Sequence, residues 1–316
     1  MKVPCSKITI GEYAFYSIHH VTIKRSIFEI AATATIQVPV TAVIKQNGKA
    51  LTYIETAQAV KVGDPVAIAL GYDGVLHTEF IGYVKVLNLK TPLEIECEDA
   101  FYKTREVSVT STGKTTLAEI LTQTGVSVGY CATLRLEDFP VDNKPASWVL
   151  GKLKTDFGLS IWFDKTGKLY ASEPYRVQGD VVKYHLRENT IDEDDLKFHR
   201  ADDVKLKIKA VCIYRDGTKI EATIGTGDTE KTLYFYDVKD QSELALLADA
   251  ELKRYSYDGY SGKIVAFLQP YAEPAMIANL VDPFYPERDG DYYIESTEVE
   301  FGTGGARRTL ELGLKV

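Results

Sequence analysis

The run STGKTT, Ser111 to Thr116, places a lysine and hydroxyls behind a glycine, a combination that can hold nucleotide phosphates. A phosphate loop also needs a glycine five residues before Gly113, where this chain has Ser108. Thr115 or Thr116 serving as the N-cap of a following helix fits the local sequence better. GTGG, Gly302 to Gly305, lies between two strand-like runs with no helix behind it, so it reads as a hairpin tip rather than a phosphate cradle. Arg307 and Arg308 beside it suit two roles, contact with a partner or charged protection of a strand edge.

Asp192, Glu193, Asp194 and Asp195 could offer oxygens to a hard cation, but they lack the alternating spacing and central glycine of a calcium loop. A solvated linker is the expectation there. His19 and His20 are adjacent and would point to opposite faces of a strand, so they cannot share a metal. His77, His185 and His199 have no Cys or His at ligand spacing, and Cys5, Cys97, Cys131 and Cys212 form no C-x-x-C pair and read as reduced packing residues. No Ser-His-Asp order, nucleophile elbow or carboxylate pair stands out. A glycosidase-type carboxylate pair is set in space rather than in sequence, which keeps a cell-wall hydrolase among the alternatives. The expectation is a chain that is not an enzyme, with no catalytic, metal or cofactor-binding residue and no cofactor.

Composition bounds what could position such groups. With 316 residues, 45% apolar and 26% charged, the chain is long enough for two or three domains and is neither disordered nor fibrous in character. A net charge of −8 argues against a protein that grips nucleic acid through a basic face, although a channel that lets DNA slide past can be acidic. Twenty tyrosines, with many Val, Ile and Thr, favour strands, and exposed tyrosines could stack sugars in a carbohydrate- or receptor-binding protein. MKVPCSKITIGEY lacks the pattern of a signal peptide, and no apolar stretch approaches the roughly 20 residues of a membrane span, so folding in the cytosol is expected.

Short alternating bursts from Ile8 to Val40, an Asn47-Gly48 turn, and three strands between Val60 and Tyr102 predict an antiparallel module ending near Asp99. TTLAEILTQTG (Thr115 to Gly125) predicts a helix burying Leu117, Ile120 and Leu121. A second helix, Pro145 to Phe157, is expected to bury Trp148, Val149, Leu153 and Phe157 and to stop at Gly158. The LSIWF and KLYAS strands follow, turning at Asp164 to Gly167. A hairpin about Asp216-Gly217, a helix over Ser242 to Tyr255 and strands from Lys263 to Val316 complete the chain. The fold class is α+β, mainly β, with boundaries at 1–105, 106–188 (a small α/β unit) and 189–316.

The first and last modules echo each other. FIGYVKVLNLKTPLEIEC (Phe80 to Cys97) and YIESTEVEFGTGGARRTLELG (Tyr293 to Gly313) both run from an aromatic-Ile start through a Pro- or Gly-rich turn to a Leu-Glu return strand. VKVGDPVAIALGY and AMIANLVDPFY precede them in matching places.

In order and texture the chain resembles baseplate hub proteins of contractile phage tails, of the late control protein D type, and the N-terminal part of type VI secretion spike proteins. The likeness rests on SIFEIAATATIQVP, VGDPVAIALGY, FIGYV, PLEIECED, TLAEIL, GYSGKIVAFLQPY and DPFYPERDGDYYIESTEVEFGTGGARRTLELG. The resemblance implies two tail-tube-like β-barrel domains per chain. It also implies a homotrimer whose pseudo-sixfold ring joins the hexameric tail tube protein to the trimeric spike protein within a virion baseplate. With no needle after Val316, it implies a spike on a separate polypeptide.

Overall fold

The computed structural model describes residues 2–16, 18–44, 52–214, 218–235 and 238–316. Strands predominate and helices are few, giving a mainly β α+β fold. The N-terminal part holds β1 (Pro4–Ile10), β2 (Tyr13–Phe15), β3 (His20–Ser26), β4 (Thr33–Val38), β5 (Thr41–Ile44), β6 (Thr52–Glu55), α1 (Thr56–Ala59), β7 (Pro65–Tyr72), β8 (Val75–Asn88) and β9 (Leu93–Glu98). The middle holds β10 (Ser108–Thr116), α2 (Leu117–Thr122), β11 (Val128–Cys131), β12 (Arg135–Pro145), α3 (Ala146–Phe157), β13 (Ser160–Phe163) and β14 (Leu169–Ser172). Then come β15 (Val181–His185), β16 (Thr190–Asp192), β17 (Lys197–His199), β18 (Leu206–Ile213), β19 (Lys219–Gly225), β20 (Thr229–Phe235), α4 (Gln241–Tyr255), β21 (Gly259–Ala266), β22 (Ile277–Val281), β23 (Gly290–Gly302) and β24 (Gly305–Lys315). The Asn47-Gly48 and Asp216-Gly217 turns lie outside the described residues, but the strands flanking each pair antiparallel.

The two β modules are not separate sheets. A single 14-stranded sheet runs in the order β16-β21-β24-β23-β3-β4-β9-β8-β7-β1-β2, with β15, β17 and β22 attached beside that path. The join is β3 against β23, antiparallel from Ser26↔Ser296 to His20↔Gly302. Val181–His185, grouped by sequence with the middle segment, pairs in parallel with Ile277–Val281 and so extends the C-terminal sheet.

The sequence echo falls on equivalent places in this sheet. β7-β8-β9 continues through β4 to β3, and β22-β23-β24 continues through β21 to β16 and β17. Alternating burial along β3, β4 and β9 gives the first core, which includes Val21, Ile36 and Ile95 and takes in Val299 and Phe301 from β23. Tyr184, Ile264, Leu280, Tyr292 and Leu310 lie in the core of the second module.

In the middle segment Thr116 caps α2, accepting from the Glu119 N–H while Glu119 accepts from the Thr116 N–H. This reciprocal box is why the helix starts there. α3 ends at Gly158 with φ 63, the left-handed stop the sequence predicts. Trp148 departs from expectation: α3 buries Ala146, Val149, Leu150 and Leu153, spaced at one helical face, and Trp148 falls outside that stripe at 48% exposure. At the meeting point of all three parts, Ile27, Trp162, Tyr175, Ala275, Ile277, Tyr293 and Leu314 form a further apolar cluster.

Candidate functional site

The large sheet presents one apolar face to its cores and a polar face to solvent. The strand registers align the polar residues in rungs: Glu98–Thr33–Lys24–Glu298–Thr309, and next to it Glu96–Thr35–Thr22–Glu300–Arg307. On these strands Glu94, Glu96, Glu98, Glu298, Glu300 and Glu311 alternate with the cations Lys24, Lys263, Arg307 and Lys315. Lys24 meets Glu298 at 3.2 Å across the module join. Lys90 donates to Glu94 and holds its carboxyl below the usual range. Burial pushes Glu98 upward, but Arg105 and Lys85 outweigh it and hold the carboxyl low. The face is therefore hydroxyl-lined, with its carboxylates largely matched by paired cations, and offers no unneutralised basic surface to grip a phosphate backbone.

Behind the join lies a buried ionic lock. The β7–β8 register passes from Ile68↔Phe80 to Ala69↔Thr78, so Glu79 is the extra residue of a bulge, a device that re-aims a side chain. Arg308 of β24 donates to Glu79 Oε1 at 2.7 Å, with both side chains 2% exposed, and also to the Ala272 carbonyl at 2.7 Å. Arg25 of β3 donates to the Glu79 carbonyl and to Glu273 Oε2, which also accepts from the Tyr271 hydroxyl at 2.9 Å. Charges buried this deeply are stable only when paired and hydrogen-bonded, so the lock is specific to this arrangement of the modules.

Among the open strand edges of this sheet, which include β2 and β15, two stand in places equivalent to the internal join. The N-terminal part of β8 pairs with β7, but Lys85 to Asn88 pairs only with β9. At the other end β16 and β17 pair only with β21. Both edges carry exposed apolar side chains, Val86 on one, with Leu89 just after it, and Ile191 and Phe198 on the other. Near the second edge Arg288 stacks on Phe198 at 4.8 Å and on Tyr285 at 3.9 Å, and Arg187 on Phe284 at 4.6 Å.

The residues singled out by sequence scatter rather than converge. STGKTT lies in β10, paired with β12, so Lys114 sits in a strand and not in a phosphate-cradling loop. Of the acidic run, Asp192 ends strand β16, while Glu193 to Asp195 lie outside any strand, with Asp194 and Asp195 exposed as expected of a linker and Glu193 accepting from the Arg187 N–H at 2.9 Å. GTGG turns the β23–β24 hairpin as expected, with Gly305 at φ 109. Arg307 stays at the surface near Glu300, while Arg308, expected at a strand edge or partner, is spent inside the chain on Glu79. The cysteines are free, and among the described residues no group of three or more His, Cys, Asp or Glu is arranged to hold a metal. Tyr175, Tyr184, Tyr260, Tyr292 and Tyr293 are buried and offer no sugar-stacking surface. Among the described residues no helix is long and apolar enough to cross a membrane. Sequence reasoning missed Glu79, because a bulge has no mark in an alternating run.

No protein-family model and no curated protein matches the sequence. Solved structures do match. The 43 kDa tail protein of prophage MuSo2 from Shewanella oneidensis aligns with 98% of this chain and 97% of its own, at TM-score 0.58 and 14% identity. A tail protein from Neisseria meningitidis MC58 aligns with 99% and 97%, at TM-score 0.61 and 11% identity. The E. coli c3393 protein, a component of the type VI secretion system, aligns with 96% of this chain and 76% of its own, at TM-score 0.58 and 8% identity. At such identities the likeness is one of fold, and it spans nearly the whole chain.

Proposed function

We propose that the chain is a structural hub of a contractile, phage-type tail baseplate, a homotrimer whose pseudo-sixfold ring joins a hexameric tail tube to a trimeric spike. The observation that carries this reading is the equivalence of the two open edges to the join already made inside the chain. There, the outer strand of the first module, β3, lies along the C-terminal half of β23. The equivalent outer strand of the second module is β16 with β17, and the equivalent half-strand of the first is Lys85 to Asn88 of β8. A neighbour that lays its β16–β17 edge on this half-strand repeats the internal join between chains. Closed cyclic assembly satisfies both edges of every copy, and three copies of two modules present six similar sectors.

In this reading the tube-like barrels are residues 1–105 and 189–316 together with β15, and the α/β domain between them, which begins at 106, ends before Val181. The polar rungs would line the lumen, where DNA passes without specific binding. The partners are tube, spike and other baseplate proteins, the place is the virion tail, and synthesis is in the host bacterial cytoplasm. The tail-protein fold supports a role without catalysis. Light scattering on the chain alone and with tube and spike proteins tests it. Three-chain particles are expected, and a strict monomer in every mixture overturns the reading.

A further inference from the structure

β20 is the edge of a three-stranded sheet ordered β19-β18-β20, and among the described residues it pairs with β18 alone. Thr232 to Phe235 of this strand form one wall of a groove of about 880 Å³. The facing wall is the end of α3 and the start of β13. The walls meet at Gly158, where a Cβ would come within 2.4 Å of the Tyr234 ring. Tyr175 and Tyr255 line the groove, and between them stands Lys231 of β20, its ammonium 4.1 Å from the Tyr255 ring centre and 5.4 Å from that of Tyr175. Ser160, 2% exposed, also lines it, and its buried hydroxyl has no hydrogen-bond partner among the described residues.

An open strand edge offers alternating N–H and C=O groups that bind any extended backbone, while neighbouring pockets read alternate side chains. The charge of the groove selects among such strands. Lys154, Arg176, Lys231 and Arg254 line the groove against Glu173 and Glu251, and Glu295 behind Tyr175 also attracts Lys231, which leaves four cations to three carboxylates in a chain of net charge −8. Inward-pointing lysines also serve to blunt strand edges, and Lys231 alone could do that. Blunting by one lysine does not account for the open groove or for the further cations Lys154, Arg176 and Arg254 that line it. We propose that the groove takes an extended, acidic polypeptide segment of a partner protein, added as a strand to the free edge of β20.

This inference does not depend on ring formation. Selection of a randomised dodecapeptide library against the full-length chain, followed by synthesis of the winning peptide, tests it. Winners should carry acidic residues at alternate positions and slow hydrogen exchange of the β20 amides. Their affinity should fall by about tenfold or more in the Lys231→Glu/Arg254→Glu variant. Methylating alternate backbone nitrogens of the peptide should abolish binding to the unaltered chain, which decides the matter should the variant fail to fold. No acidic enrichment, unchanged β20 exchange or indifference to methylation overturns the proposal. So does a changed oligomeric state of the charge-reversed variant, which would assign the groove to a second copy.

Discussion

Arg308 and Glu79 are 229 residues apart in sequence and 2.7 Å apart in space, a fully buried ion pair between the last strand of the chain and a bulge in β8. The pair ties the C-terminal module to the N-terminal one beside the strand join. Glu79→Ala leaves the Arg308 guanidinium buried and uncompensated, at an expected cost of about 3–5 kcal/mol in urea unfolding. Glu79→Leu with Arg308→Met should recover most of that loss. A single-variant cost below about 1 kcal/mol would contradict the lock.

The same rule of local satisfaction applies to α2. Thr116→Ala removes the N-cap acceptor for the Glu119 N–H and should cost about 1 kcal/mol. Because Lys114 lies in a paired strand, magnesium-ATP should leave the melting temperature unchanged.

Asp99 gives a pH dependence. Burial pushes its carboxyl from 3.8 up to about 7, against the pull of the Ala32 and Phe101 N–H groups. The folded state therefore holds this proton at pH values where the unfolded chain has released it, so the group's contribution to stability falls as pH rises from 4 to 7 and levels off above. The stability of the native chain relative to Asp99→Asn should decrease over that window in melting curves. A difference independent of pH would mean that the carboxylate is ionised throughout.

Val86→Lys places a charge on the open β8 edge. Folding stability should move by no more than about 0.5 kcal/mol, while the three-chain fraction in light scattering falls. An unchanged trimer would remove this edge from the interface.

Much of the local structure was legible in the residues. Alternation marked the β8–β9 and β23–β24 hairpins, and turn chemistry marked Gly158, Gly305 and the Thr116 cap. The echo between Phe80–Cys97 and Tyr293–Gly313 pointed to hairpins that occupy equivalent places. What could not be read was non-local. The β3–β23 pairing joins residues some 270 positions apart, with no periodicity to announce it. Glu79 looks like one more polar residue in an alternating strand until the partner strand shows the bulge. Trp148 was placed by hydrophobicity, whereas the helix turns its Ala146, Val149, Leu150 and Leu153 stripe inward. The short strand that leads into the acidic stretch, Thr190 to Asp192, could not be read because its partner, β21, lies some 70 residues downstream.

The proposed ring rests on one contact, β8 of one copy against β16–β17 of the next. Amine cross-linking of mixed light- and heavy-isotope chains in the presence of tube and spike proteins reads it directly. Links from Lys85 or Lys90 of one isotope to Lys197 of the other are predicted. Inter-chain links that join only like to like, or none between chains, would contradict it.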